Sequence, residues 1–386
     1  MGFSSHDAII NAITVLGQYV RREGQKSTSP AHTAGGWHLL SGNAGYPGAT
    51  TFPAAADLVF QACSEAGGDA ASASIFGMQH GGPVEQNSDT KHVIGLSALL
   101  VAAAGAPWQL KLVDVEGYYR LAGTNLTGTG SRTLINTNTF TANAGTDLIT
   151  YTNDWSPYTK VRFTTTGTLP AGLALNTDYW LIRQSTTTAL VASSYFNAVN
   201  NTFIDITDAG TGTHTLTIQM RNQDGAGVEA SFVIQTAPST GGPTLSASDY
   251  TNSLGTSTRA FQGTPSFGAA ADAYATRIPH SGVAAARYGP FLPKQGADAG
   301  IRRVNSFTLS GGTAYTGAGV AALVLSRPLT DIIIPASGVV AERDLINQML
   351  SMPRVRDGAC LAWMLFSTGA TTNLSPLTTT VDFAWD

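Results

Sequence analysis

Charge is what this chain has least of. Asp, Glu, Lys and Arg make up 12% of its 386 residues, against roughly 25% in an ordinary domain. The formal net charge is −4 and the isoelectric point about 5.9. Phosphate backbones are held by concentrated Lys and Arg, so direct nucleic-acid contact is not expected. Cysteine is almost absent. Cys63 and Cys360 are the only two, too far apart in sequence to form a metal knuckle. They read as two small buried residues, and their spacing leaves open whether they bond to each other. Long apolar runs are also missing. The stretch from Val93 to Ala106 is too short, and too rich in Ala and Gly, to span a bilayer. The first residues lack the charged and apolar regions of a secretory signal. No membrane partner is expected.

The motifs of catalysis are missing too. The sequence has no G-x-S-x-G elbow, no G-x-x-x-x-G-K-[ST] loop, no H-E-x-x-H and no C-x-x-C. Its seven histidines, His6, His32, His38, His80, His92, His214 and His280, are scattered. The closest pair, His32 and His38, fits no common zinc spacing. Among the carboxylates, Glu229 opens a strand, and Asp205 and Asp208 lie in a turn. Asp205 to Gly212 lacks the ligand count of a calcium loop. The expectation is a protein without catalytic residues, cofactor or metal.

What is there is glycine, threonine and apolar residues: 42 Gly, with 43% hydrophobic residues overall. Disorder needs low hydrophobicity and high charge, so the chain is folded. Its length suits two or three domains. This composition fits a β-rich protein that buries much of its surface in an assembly.

The clearest stretch runs from Lys160 to Ile218. Val161 and Phe163 alternate with Arg162 and Thr164, the period of a half-buried strand. Pro170 and Gly172 supply a turn. Tyr179 to Ile182, then Phe203 to Ile206, then Thr215 to Ile218 read as further strands. Thr139 to Met220 is therefore expected to be a small all-β module that folds by itself. Trp155, Tyr158, Tyr179 and Trp180 are read as its packing residues, with a sugar-stacking surface as the alternative.

The N-terminal stretch carries the best helical pattern. Ile9, Ile13, Leu16 and Val20 recur at spacings of four, three and four. Ser4 or Ser5 caps a helix expected over Ser5 to Arg22, Asp7 lies in its first turn, Arg21 and Arg22 in its last, and Gly24 ends it. The helix packs on its own body or docks on a neighbouring subunit, and the loose basic group of Arg302, Arg303, Arg287 and Lys294 reads as a solvated face or an inter-subunit ion-pair site. Ile9, Ile13, Leu16, Val20, Arg302 and Arg303 are the candidate assembly contacts.

Elsewhere the text is mostly strands and turns. Gly35 to His38 and Gly45 to Gly48 read as loop. Ala54 to Ala66 reads as a short helix. Val93 to Ala104 is strand or helix. Trp108 to Leu121 is a strand, or a hairpin around Glu116-Gly117. Val228 to Thr236, Tyr250 to Phe261, Arg302 to Leu309, Thr313 to Leu325, Leu329 to Ile334, Cys360 to Phe366 and Thr378 to Trp385 read as strands. The fold class expected is mainly β: a β-sandwich body, jelly-roll-like, with an inserted small all-β domain and an N-terminal amphipathic helix. The boundaries expected are 1–29 for the helix and arm, 30–138 for the first part of the body, 139–220 for the insert, and 221–386 for the second part.

Two sets of strings also resemble known proteins. KVRFTTTGTLPAGL, then DYWLIR, then IDITDAGTGTHTL resemble a small β module that recurs in tailed-bacteriophage structural proteins. GVEASFVIQTAPSTGGPTLSASDYTNSLGTSTRAF, ADAGIRRVNSFTLSGGTAYTGAGVAALVLSRPL and LINQMLSMPRVRDGACLAWMLFSTGATT, in that order, resemble a family of virion structural proteins of tailed phages. Two features carry the second likeness: Gly300-Ile301-Arg302-Arg303-Val304 leading into a strand, and Met352-Pro353-Arg354-Val355 before an apolar one. The resemblance implies a virion location and a non-enzymatic structural role. Foremost is a capsid-associated or decoration protein that contacts copies of itself and the major capsid protein. The alternative is a tail, collar or fibre component that binds a receptor such as a host surface glycan. The lesser alternative is the main shell protein.

Overall fold

In the computed structural model the described residues are 3–26, 35–40, 45–46, 52, 57–65, 77–78, 80, 90–101, 107–127, 129–236, 243–265, 277–279, 289–310, 319–347, 352–368 and 376–386. They form a mainly β protein of several antiparallel sheets, one of them a closed six-stranded barrel. In chain order the strands begin with β1 (Tyr19–Lys26), β2 (Gly36–Leu39), β3 (Gly45–Tyr46), β4 (Phe60–Ala62), β5 (Lys91–Leu100), β6 (Trp108–Ala122) and β7 (Gly130–Thr133). The barrel strands are β8 (Thr137–Asn143), β9 (Leu148–Thr150), β10 (Lys160–Thr165), β11 (Asp178–Arg183), β12 (Thr188–Ala192) and β13 (His214–Ile218). There follow β14 (Glu229–Thr236), β15 (Thr244–Asn252), β16 (Arg277–Ile278), β17 (Ile301–Ser310), β18 (Val320–Ile334) and β19 (Ala341–Asp344). The last are β20 (Arg354–Val355), β21 (Leu361–Ser367) and β22 (Leu377–Trp385). Helices are short: α1 (His6–Thr14), α2 (Thr124–Thr127) and α3 (Tyr195–Val199).

The first sheet runs β19-β5-β22-β1-β3, with β20 also on β5. A second, seven-stranded sheet runs β18-β14-β16-β2-β21-β6-β4, with β18 pairing β6 as well. Leu96, Val381 and Phe383 of the first share one core with Leu110, Leu112, Trp363 and Ile332 of the second. The two sheets therefore lie face to face. A third sheet, β15-β17-β7, covers the far end of the seven-stranded sheet. There Phe232 and Leu323 pack against Phe307 and Val304, and the same core continues into the barrel through Phe60, Tyr119, Val161 and Phe163.

The barrel closes in the order β10-β11-β12-β9-β8-β13. Its interior is filled, not hollow. Phe140 and Phe163 sit 5.0 Å apart and Phe163 and Tyr179 5.3 Å apart, and Trp155 is fully buried among them. Closure leaves no unpaired edge. It spans two strands more than the sequence pattern indicates. Thr188–Ala192 forms β12, whereas Phe203 to Ile206 forms no strand. Ile206 still reaches the core, and Asp147 accepts its N–H at 2.8 Å.

Several local expectations change. The N-terminal helix stops at Thr14, not Arg22. Ser5 Oγ accepts the Ala8 N–H at 3.1 Å, the expected N-cap. Gly17 then adopts a φ of 68°, a backbone that glycine takes freely. Tyr19 to Lys26 pair along their whole length with Leu377 to Ala384. That ladder satisfies more backbone than another turn of helix would, so Val20 is a strand residue and Gly24 faces Thr379 rather than ending a helix.

Gly36–Leu39 is a buried strand between β16 and β21, not loop. Phe60–Ala62 is strand where a helix was expected, and residues 54–56 and 66 lie outside the described residues. Lys91–Leu100 resolves the ambiguous apolar run as strand. Trp108–Ala122 is one continuous strand, not a hairpin. Its partner β18 merges two expected strands and passes through Pro328 at a break in register, where the missing N–H is tolerated. The strand expected over Tyr250 to Phe261 lies earlier, as Thr244–Asn252, with a turn bringing Arg259 back to Tyr250.

Candidate functional site

The residues singled out for assembly divide into two groups. Ile9 is buried, while Ile13 and Val20 are half-buried in the same core between the two large sheets. They fasten the N-terminal segment to its own body. Leu16 does not join them. It is 58% exposed, with Ile10 at 55% and Val15 at 73% beside it in sequence. The outward apolar group is thus Ile10, Val15 and Leu16. The helical spacing missed the first two because it assigned the whole pattern to one face.

Arg302 and Arg303 lie on β17 and, as neighbours in a strand, point to opposite faces. Arg302 donates to Asp224 at 3.0 Å. Arg303 donates to Asn305 at 3.3 Å, and burial pulls its guanidinium below the usual range. Lys294 is paired with Glu229. Arg287 lies outside the described residues. The described members of the expected basic group are therefore paired within the chain. Asp208 accepts the Gly210 N–H within its own turn and the Ala171 N–H of the Pro170–Gly172 turn, joining the two. Among the described residues no three or more His, Cys, Asp or Glu side chains gather as a metal site. No helix among them is long and apolar enough to cross a membrane.

The most organised polar chemistry sits where the barrel meets the body. The sequence pointed to none of it as a site. It begins with strand β6. Leu110 and Leu112 face the core between the large sheets, and Tyr119 and Leu121 face the core shared with the barrel. Between them the register with β18 slips: Gly117 faces Leu325, but Val115 faces Ser326. Glu116 is the extra residue of this bulge, which re-aims its side chain. Asp114 and Glu116 are both buried.

Their partners come from the segment that leaves the barrel after β13. Arg221 donates through Nη2 to Asp114 Oδ1 at 2.5 Å and to the Val115 carbonyl at 2.9 Å, and through Nη1 to the Cys63 carbonyl at 2.7 Å. Glu116 accepts the backbone N–H of Arg221 at 2.6 Å and of Asn222 at 3.0 Å, as well as the Asn222 side-chain amide. Arg327, opposite Asp114 on β18, donates to Asn222 Oδ1 at 3.2 Å. Burial pushes the Glu116 carboxyl up, while Arg221 pulls the other way. The way into the barrel is fixed as firmly. Tyr119 donates to Asn136 Oδ1 at 2.6 Å, and Asn136 Nδ2 donates to the Val304 carbonyl at 2.8 Å. Both connections of the barrel are thus tied to β6.

Above this layer lies a cleft of about 480 Å³. Lys160, Trp180 and Ser194 to Asn197 form its barrel wall, and Arg221, Arg356 and Asp357 its body wall. Lys160 stands 5.5 Å from the centre of the Trp180 ring and 2.7 Å from Asp178. Burial would raise the Asp178 carboxyl, but Lys160 and Arg162 outweigh it and hold it low. Tyr195 meets Tyr158 edge-on at 5.8 Å. Gly358 closes the contact: its φ is 71°, and a Cβ there would fall 2.7 Å from the Tyr195 ring. Of the four aromatic residues considered from sequence, Trp155 and Tyr179 are core, whereas Tyr158 and Trp180 are half-buried near this cleft. Volume, aromatic wall and converging polar groups are those of a small-ligand site.

No family model and no curated protein matches this chain.

Proposed function

We propose that this protein is a non-enzymatic structural subunit of a tailed-phage virion, in the first place a capsid-associated or decoration protein on the head. The single observation that carries the reading is the exposed apolar group Ile10, Val15 and Leu16 on a segment whose other side is anchored by Ile9, Ile13 and Val20. An anchored segment with a bare apolar group at the end of its helix presents a fixed contact surface to a neighbour. The low charge of the chain and the ordered strings that resemble tailed-phage virion proteins support the same reading. On it, the facing sheets are a β-sandwich body of jelly-roll type, the barrel is its inserted domain, and the partners are further copies and the major capsid protein. Contacts of this kind bury about 1,200–2,000 Å², and repetition over a shell adds avidity.

The test is copy number in purified virions, by quantitative mass spectrometry. Numbers comparable with the shell protein are expected. Small multiples of three or six would instead favour a tail, collar or fibre component. That second reading has its own support in the cleft beside Trp180, whose ring and polar walls suit a sugar. Binding of host surface glycan by the wild type, lost in Trp180→Ala, would decide for it. The main shell protein is the lesser reading; it would require this chain to build closed shells alone.

A further inference from the structure

The two cysteines, almost 300 positions apart, meet on the edge of β6. One edge of that strand is covered by β18 throughout. The other is shared. β21 pairs with Trp108 to Asp114, and β4 pairs with Gly117 to Tyr119. Neither covers the gap at Val115 and Glu116. One residue from each side closes it by a single backbone hydrogen bond. Val115 N–H donates to the Cys360 carbonyl at 2.8 Å, and Cys63 N–H donates to the Glu116 carbonyl at 3.1 Å. The cysteines therefore stand opposite consecutive residues of β6, whose Cα atoms are about 3.8 Å apart. A disulfide spans Cα separations of about 4.4–6.8 Å. Both side chains enter the same core, with Val113, Val115 and Tyr118. Both thiols are free and buried. Gly77 leaves room for the Cys360 sulfur, since a Cβ there would lie 2.7 Å from it.

We propose that Cys63 and Cys360 are the site of an intramolecular disulfide that forms in an oxidising medium and staples β4 to β21 across the break. The oxidant is a low-molecular-weight disulfide such as glutathione disulfide. One cysteine, as thiolate, attacks a sulfur of the oxidant, whose S–S bond breaks and releases one glutathione thiolate. The second cysteine thiolate then attacks the protein sulfur of that mixed disulfide and expels the other. Two cysteine protons pass to solvent or to the departing thiolates, and two electrons pass to the oxidant. Burial pushes the Cys63 thiol up, so exchange in the folded chain is slow and proceeds through local opening. The product closes a loop of about 300 residues, which restricts the unfolded chain strongly.

The experiment compares the intact wild-type protein after prolonged incubation with glutathione disulfide and with dithiothreitol. Each sample is denatured, alkylated with iodoacetamide and weighed. The oxidised chain is expected to take no alkyl groups, to weigh two hydrogens less than the reduced chain before alkylation, and to yield a peptide pair joining Cys63 to Cys360. Its melting temperature is expected to be higher by about 5 °C, an increase absent in Cys63→Ala and Cys360→Ala. Two alkyl groups per chain after oxidation in mild urea, where local opening is frequent, would overturn the proposal. So would glutathione adducts or cross-linked dimers as the only products. A disulfide that forms but lowers the melting temperature would refute the staple.

Discussion

Arg221 is the residue on which the junction turns. Its guanidinium donates to the buried Asp114 and its charge also favours the buried Glu116 carboxylate, which keeps its backbone N–H donors if the side chain goes. Burying such a pair gains little over an apolar core, but breaking one costs about 3–5 kcal/mol. Arg221→Met is expected to lose about that much in urea unfolding. Asp114→Leu added to it should recover part of the loss, because one stranded charge disappears. If the double variant is worse than the single one by the full cost of a second site, Asp114 and Arg221 are not coupled.

Asp298 gives a second residue-scale test. Arg259 holds it at 2.9 and 3.1 Å, Tyr250 Oη donates at 2.7 Å and Asn252 at 2.8 Å. These donors, Arg259 first, hold its carboxyl at about 2, against about 3.9 in an unfolded chain. For a depressed carboxyl, the stabilisation is complete above the unfolded value and is lost as pH falls through the folded one. The stability advantage of wild type over Asp298→Asn should therefore shrink from pH 5 to pH 2. An advantage that stays level across that window would show that the charge contributes nothing.

At the scale of elements, the N-terminal segment shows what a sequence does and does not carry. The helical spacing of Ile9 and Ile13 is real, and Ser5 and Asp7 begin the helix as their chemistry requires. Leu16 and Val20 continue the spacing by coincidence. The decision between helix and strand after Thr14 rests with β22, far away in sequence, and with Gly17. The same holds for Gly36–Leu39. Two glycines read as loop, yet β16 and β21 supply ladders on both sides. Barrel strands β10, β11 and β13 were legible because they alternate and a turn among them carries Pro170 and Gly172, whereas β8, β9 and β12 were not. The Asp114–Glu116–Arg221 layer was not, because a bulge and a partner about a hundred positions away create it. Substitutions should separate the two sides of the N-terminal segment. Ile9→Ala is expected to cost about 2–4 kcal/mol of subunit stability. Leu16→Asp should change it by less than about 0.5 kcal/mol and yet lower incorporation into particles. Equal melting losses from both would place Leu16 in the core.

For the whole molecule, the question is how far barrel and body stand alone. The sequence expectation is a self-sufficient insert. The barrel closes on itself, but its core runs on through Phe60 and Tyr119 into the body. Gln61 adds bonds to Asp154 and Ser156, at 2.8 and 2.7 Å. Replacing 137–218 by a short Gly/Ser bridge should leave a β-rich body, but one that melts several degrees lower, because Phe60 and Tyr119 lose their cover. An unchanged melting temperature would mean that the shared core contributes no stability.

The β1–β22 ladder also sets a clock. Lys26 pairs with Leu377, so one partner is made more than 350 positions after the other. At roughly 5–20 residues per second of synthesis, β1 waits about 20–70 s for its neighbour. The barrel needs only a continuous local stretch and can close long before. Until β22 arrives, the sheet on which the N-terminal segment rests is incomplete, so its outward apolar face is not yet held in place. A growing chain thus lacks its fixed outward apolar face while unfinished. Chains stalled on ribosomes before residue 377 should show a protease-resistant barrel and a cleavable N-terminal segment; early protection of both would stop the clock.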